Sequence, residues 1–148
     1  MEETNFKNSK IKGLYVKLND FPPIIALDKS IFSYRSLFLS ILVEELGHHF
    51  TTQGNLLKES HSYSDKLFKN KKESLAKKWA ANFLISDDEF VQALNRCASN
   101  SFDMCDYFNV TNEILQYKIF SILNDKDKYN KIRNDFIKKD FQYGSCCL

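Results

Sequence analysis

No run of about 18 apolar residues occurs in the 148-residue chain, so it reads as having no membrane-spanning helix. The opening stretch, MEETNFKNSK, has no apolar core and does not read as a secretory signal. The four cysteines, Cys97, Cys105, Cys146 and Cys147, lack the paired C-x-x-C spacing of a metal ribbon and the density of a secreted disulfide scaffold. A reducing cytoplasm is the expected location. The closing CCL does not complete a lipidation box, because Ser145 stands where that box needs cysteine, and residues 141–148 are expected to be a disordered tail. A charge surplus is missing too: 21 basic and 19 acidic residues leave +2, which argues against nucleic acid or an acidic membrane as the main partner. Internal repeats and low-complexity tracts are absent.

What is present fits one compact domain, with an apolar share of 43% that is ordinary for a globular core. GLYVKL (13–18) and IIALD (24–28) are β-prone runs separated by the breaker-rich NDFPP, and they predict a pair of strands, the second a candidate edge. From 33 to 49 the sequence SYRSLFLSILVEELGHH has no proline and is apolar on most faces, which predicts a helix buried on several sides. Residues 51–72 are polar and irregular, and predict a long loop or flap. ESLAKKWAANFLI (73–85) has helical apolar spacing, and SDDE (86–89) is a capping box opening another helix to about Arg96. Three further helices are expected: SFDMCDYF, TNEILQYKIFSIL beyond an Asn109–Val110 turn, and the charged KDKYNKIRNDFIKKDF. Strands followed by helices make an α+β layout.

The chemistry concentrates in ILVEELGHHF (41–50), which has the form of the zinc-peptidase motif H-E-x-x-H with Glu44 in place of the first histidine. On a helix Glu44 and His48 point within about 40° of one another, so both can grip one ion, with Glu45 on the same side. A catalytic zinc takes three protein ligands, so one more donor is required. Glu73 is the best candidate. It heads a stripe with Ala76, Ala80 and Leu84 that should pack inward, and a carboxylate placed there needs a partner. A metal between the two helices would supply one, with Glu45 as the base that takes a proton from water.

EELGHH followed, after a variable loop, by E-x-x-A-x-x-W-A (Glu73, Ala76, Trp79, Ala80) resembles the ImmA/IrrE family of metallopeptidases, especially its phage and mobile-element members. The likeness runs from roughly Gly13 to Ile122. It implies a minimal zincin-like fold in residues 1–86, a helical, helix-turn-helix-like recognition part in 87–140, and a metal-dependent endopeptidase that cleaves a helix-turn-helix repressor. Carried over by position, Glu45 would be the general base, and Glu44, His48 and Glu73 the metal ligands. Glu44 departs from the histidine most members carry, although some phage-type members resemble this chain there. Its carboxylate makes the set harder and more anionic, which weakens zinc relative to manganese or iron and makes a bound water less acidic; zinc stays the leading expectation, with Mn2+ or Fe2+ as alternatives.

Simpler readings stand beside these. E-E-L-G-H by itself also fits a solvated acidic turn near a helix end. Gly47 costs a helix about 1 kcal/mol, which is repaid by close approach of a strand or helix, or else marks helix termination. His49 and His61 are alternative donors whose ordinary fate is exposure, and Trp79 suits a core better than a substrate contact. Residues 104–119 have helix-turn-helix spacing, with Asn109 suited to the left-handed turn and Thr111 to the N-cap, but the second helix offers Lys118 and little other positive charge. DNA binding therefore ranks below a non-catalytic regulator that sequesters a repressor or antirepressor. The basic run KNKK (69–72), continued by Lys77 and Lys78, reads as a solvated face.

Overall fold

The computed structural model describes residues 2–4, 11–18, 20–51, 63–96, 98 and 100–140. They form two compact units, Met1–Ala80 and Ala81–Leu148. The expected tail at 141–148, His61, and the flap expectation for 52–62 lie outside the described residues.

The first unit holds strands β1 (Glu2–Thr4), β2 (Gly13–Val16) and β3 (Ile24–Asp28), a short 3-10 turn at Lys29–Ile31, helix α1 (Arg35–Thr51) and most of helix α2 (Tyr63–Leu84). The sheet order is β1-β3-β2: β2 and β3 are antiparallel, as the two β-prone runs predict, and β1 lies parallel to β3. β3 is therefore central rather than an edge, because the polar opening segment supplies a third strand. Asp20, in the connection, takes a positive φ of 69°, a conformation aspartate tolerates better than most residues. Asp28 ends the sheet and caps the 3-10 turn by accepting from the Ser30 N–H at 2.9 Å.

Helix α1 packs on β2 and β3. Its buried residues, Ser40, Val43, Glu45, Gly47 and His48, spread over about 200° of its circumference, the several-sided burial expected of so apolar a segment. Tyr15, Leu27, Ile31, Val43, Ala76 and Ala80 are buried. Helix α2 begins ten residues before Glu73, so much of the expected loop is helical instead. Residues 63–72 lack Gly and Pro and are rich in Lys, and the one-turn pair of Lys72 over the Phe68 ring, at 4.5 Å, supports a helix without any apolar periodicity.

The second unit contains α3 (Asp87–Asn95), α4 (Ser101–Phe108), α5 (Asn112–Leu123) and α6 (Lys126–Asp140), with Val91, Ile122 and Ile132 packed against Phe90 and Phe136. The boundaries follow local chemistry. Ser86 and Glu89 form the expected capping box, and Asn100 caps α4 by accepting from the Asp103 N–H at 2.9 Å. Asn109 takes the left-handed conformation, φ 54°, between α4 and α5. Thr111 occupies the N-cap position of α5 but makes no side-chain cap bond. Lys118 is 1% exposed, with Nζ 2.6 Å from Asp87 and 3.2 Å from Asn82 Oδ1. Burial pulls its pKa down against the pull of Asp87. The one basic side chain that α5 offered to DNA is thus spent inside the unit.

Candidate metal centre

The site is assembled from two helices of the first unit. Within α1, the four-residue spacing puts Glu44 and His48 on one face, one turn apart, as helix geometry requires. On α2, Glu73 stands one turn before Ala76, and Ala76 is fully buried. One donor atom from each of Glu44, His48 and Glu73 lies within 4.8 Å of the others. His48 Nε2 is 3.3 Å from Glu73 Oε2, and Lys77 Nζ is 3.6 Å from Glu44 Oε1.

Gly47 makes this meeting possible. A Cβ built there would lie 2.6 Å from the Ala76 carbonyl oxygen and 3.2 Å from its Cα, so α1 and α2 touch backbone to backbone. The helical glycine is therefore explained by close approach of the second helix, not by termination, and α1 runs on to Thr51, whose Oγ1 donates to the Gly47 carbonyl at 2.8 Å.

Glu45 is buried on α1 against β2, within electrostatic reach of Glu44, His48 and Glu73. A Cβ at Gly13 would lie 2.6 Å from Glu45 Oε1 and from Ile41 Cγ2, so any larger residue at the start of that strand would push these side chains aside. The carboxylate accepts a hydrogen bond from the Tyr15 backbone N–H. Farther along, the Tyr15 hydroxyl meets His49 Nδ1 at 2.9 Å, and His49 packs edge-on against Phe50, whose ring stacks on Trp79 at 5.0 Å. His49 is therefore engaged with β2 rather than grouped with the three donors. Trp79 is half-buried beneath an exposed Phe50, which is neither full core nor open surface. The pairings of Gly13 and Lys77 join residues distant in sequence, and only a glycine opening a β-prone run hinted at the first.

Burial raises the Glu45 pKa from 4.5 to about 7; His48 and the Tyr15 N–H oppose this, while Glu44 and Glu73 add to it. For His48, burial lowers the pKa, but the hydrogen bond to Glu73 and the neighbouring carboxylates outweigh it and the net shift is upward. The same hydrogen bond lowers Glu73 against its burial, helped by Lys77 and Lys69.

These shifts make the metal-free fold pH-dependent. Raised in the folded state, Glu45 contributes stability that is full below 4.5 and lost as pH climbs through about 7. At about 1.4 kcal/mol per pH unit, that interval is worth about 3 kcal/mol. His48 has the same sign, its contribution being lost as pH rises through its raised value, whereas that of Glu73 is lost only as pH falls below its ordinary 4.5. Metal-free protein is therefore expected to melt at higher temperature near about pH 5 than near about pH 8, and Glu45→Gln to remove most of the difference. Thermal melts of both proteins across that range check this.

The donor set suits a divalent cation. Ligands at 2.0–2.2 Å from a tetrahedral ion lie roughly 3.4 Å apart. The His48–Glu73 separation of 3.3 Å already matches, and the 4.8 Å limit on the whole group leaves only a side-chain adjustment. Two carboxylate oxygens and an imidazole nitrogen, partly buried with acidic Glu45 beside them, form an anionic pocket that a cation would neutralise.

A family model described as IrrE N-terminal-like domain, among the M78 peptidases, matches residues 2–120, which include both helices of the site and extend through α3 and α4 into α5. No curated protein and no solved structure matches the chain. That match covers far more than half of the sequence, and the chain belongs to the IrrE N-terminal-like (M78) peptidase family, the ImmA/IrrE metallopeptidases.

Proposed function

We propose that the protein is a metal-dependent endopeptidase that cuts a regulatory protein, a helix-turn-helix repressor of the kind found on phages and mobile elements, in the cytoplasm. The observation that carries this reading is the convergence of Glu44, His48 and Glu73 within 4.8 Å, next to the buried carboxylate of Glu45. Glu44, His48 and Glu73 would hold the cation, with zinc favoured and Mn2+ or Fe2+ served by the hard oxygen donors. Such a cation supplies Lewis acidity, polarising the scissile carbonyl and bringing the pKa of water to about 7.

The chain's own residues do the rest. Glu45 accepts a proton from the attacking water and returns it to the amine nitrogen as the C–N bond breaks, so water is added across the peptide with no net proton change. The Tyr15 N–H and the wall at Gly13 hold that carboxylate in place. Strand β2 offers the substrate its backbone. Lys12 O accepts from Asp28 N at 2.9 Å, and the antiparallel alternation then turns Gly13 and Tyr15 away from β3, so that with the Tyr15 N–H given to Glu45 the Gly13 N–H and the two carbonyls face the open side. Among the described residues that side of β2 pairs with no strand, so a substrate segment can add there as a further strand. We assign catalysis to residues 1–86 and choice of partner to the helices of 87–140.

Two measurements test this. Elemental analysis of freshly purified protein is expected to find one divalent metal per chain, lost in Glu73→Ala. Co-expression with a helix-turn-helix repressor encoded beside the gene is expected to yield repressor fragments only with the metal-binding form. A metal-free protein whose function survives Glu73→Ala would instead establish a regulator that acts by sequestration.

A further inference from the structure

Glu44 changes the charge of the centre as well as its donor atoms. Two carboxylates and a neutral imidazole around a dication sum to zero, whereas two imidazoles and one carboxylate leave +1. The neutral set holds a cation more tightly and leaves it a weaker Lewis acid. Lys77 stands where it can restore the missing charge. Its Nζ is 3.6 Å from Glu44 Oε1, and the two side chains are 19% and 18% exposed, so water screens the pair only in part. Lys77 directly follows Ala76, whose backbone is pressed against Gly47, and it stands one turn beyond Glu73 on the same helix. The contact that brings the donors together therefore also sets where Lys77 leaves α2, within reach of Glu44.

We propose that Lys77 is a built-in counter-charge of the metal centre: it pairs with Glu44 in the metal-free protein and, by competing with the cation for that carboxylate and repelling it, sets a weaker metal affinity than the three donors alone would give. Lys77 is here a positioning residue, neither ligand nor proton donor. The inference rests on the metal-centre reading above, and its test keeps the two apart.

The experiment is calorimetric titration of the full-length, metal-free protein with Zn2+ at one pH, with folding of every variant checked by circular dichroism. Lys77→Met and Lys77→Gln are expected to bind Zn2+ roughly tenfold more tightly than wild type, and Lys77→Arg to bind like wild type. In a Glu44→Gln background, Lys77→Met is expected to have a smaller effect, because the competition for the Glu44 carboxylate is gone and only repulsion of the cation remains. A misfolded or loosened site would bind more weakly, the opposite sign. Wild-type binding with unchanged or weaker affinity in both neutral variants overturns the role of Lys77 and leaves the metal centre standing. Wild-type protein that takes up no Zn2+ overturns both.

Discussion

Glu45→Gln is expected to leave metal uptake intact and to lower peptide cleavage by about 10²–10⁴-fold, the usual contribution of a positioned general base. Glutamine has nearly the same shape, so the side chain still fits against Gly13 and its amide oxygen can still accept from the Tyr15 N–H. What it lacks is a site for the transferred proton. The environment of Glu45 magnifies the loss. Buried on α1, it has its pKa raised by burial to about 7 in the metal-free protein, so its carboxylate is a stronger base than an exposed glutamate in the same protein. The same change should raise the stability of metal-free protein at neutral pH, since a neutral amide avoids the cost of ionising a buried carboxyl. Losing activity while gaining stability is a combination that general damage to the fold does not produce. The check is a time course of repressor fragmentation with metal content and melting temperature measured on the same samples. Unchanged cleavage would remove Glu45 from the chemistry. Sequestration of the repressor, by contrast, would survive the substitution.

The second large effect concerns Gly47. A β-carbon at this position meets the Ala76 carbonyl oxygen at 2.6 Å, and its carbonyl carbon and Cα at 3.1 and 3.2 Å. These are backbone atoms of α2 and cannot rotate away as a side-chain tip could. Helix propensity alone favours replacing this glycine by about 1 kcal/mol, but overpacking costs typically about 1–3 kcal/mol, and more where the obstacle is backbone. The steric term wins. Gly47→Val, with two more methyl groups at the contact, is expected to destabilise the protein by about 3 kcal/mol or more. Because α2 must move away from α1, the His48–Glu73 contact at 3.3 Å opens with it. Metal affinity should fall in the same variant although no ligand has been altered. Denaturant unfolding and Zn2+ titration measure the two consequences. A stable Gly47→Val protein with undiminished metal binding would show that the two helices can meet without backbone contact.

Both results depend on long-range contacts, and the parts of the molecule legible in the sequence are mostly short-range. The capping box of Ser86 and Glu89 and the left-handed Asn109 are written in residues adjacent to the structure they specify, and both are found as expected. The four-residue separation of Glu44 and His48 likewise places them together before any tertiary contact forms. Where local signals are weak or ambiguous, the outcome differs. Residues 63–72 have no apolar periodicity yet belong to α2, and the polar opening segment pairs with β3 and makes it central. Lys118, which looks available for a phosphate, is drawn inward because Asp87 and Asn82 supply partners from more than thirty residues away.

The sequence by itself therefore determined the α+β order and the helix that carries Glu44 and His48 on one face, because turns, caps and the 3.6-residue period act over a few residues. Tertiary structure alone decided that Glu73 reaches His48, that Glu45 is buried against Gly13 and that Lys77 faces Glu44. Those distances depend on how closely two helices and a strand approach, which is governed by the volume of side chains, or their absence at Gly13 and Gly47, on segments far apart in the chain.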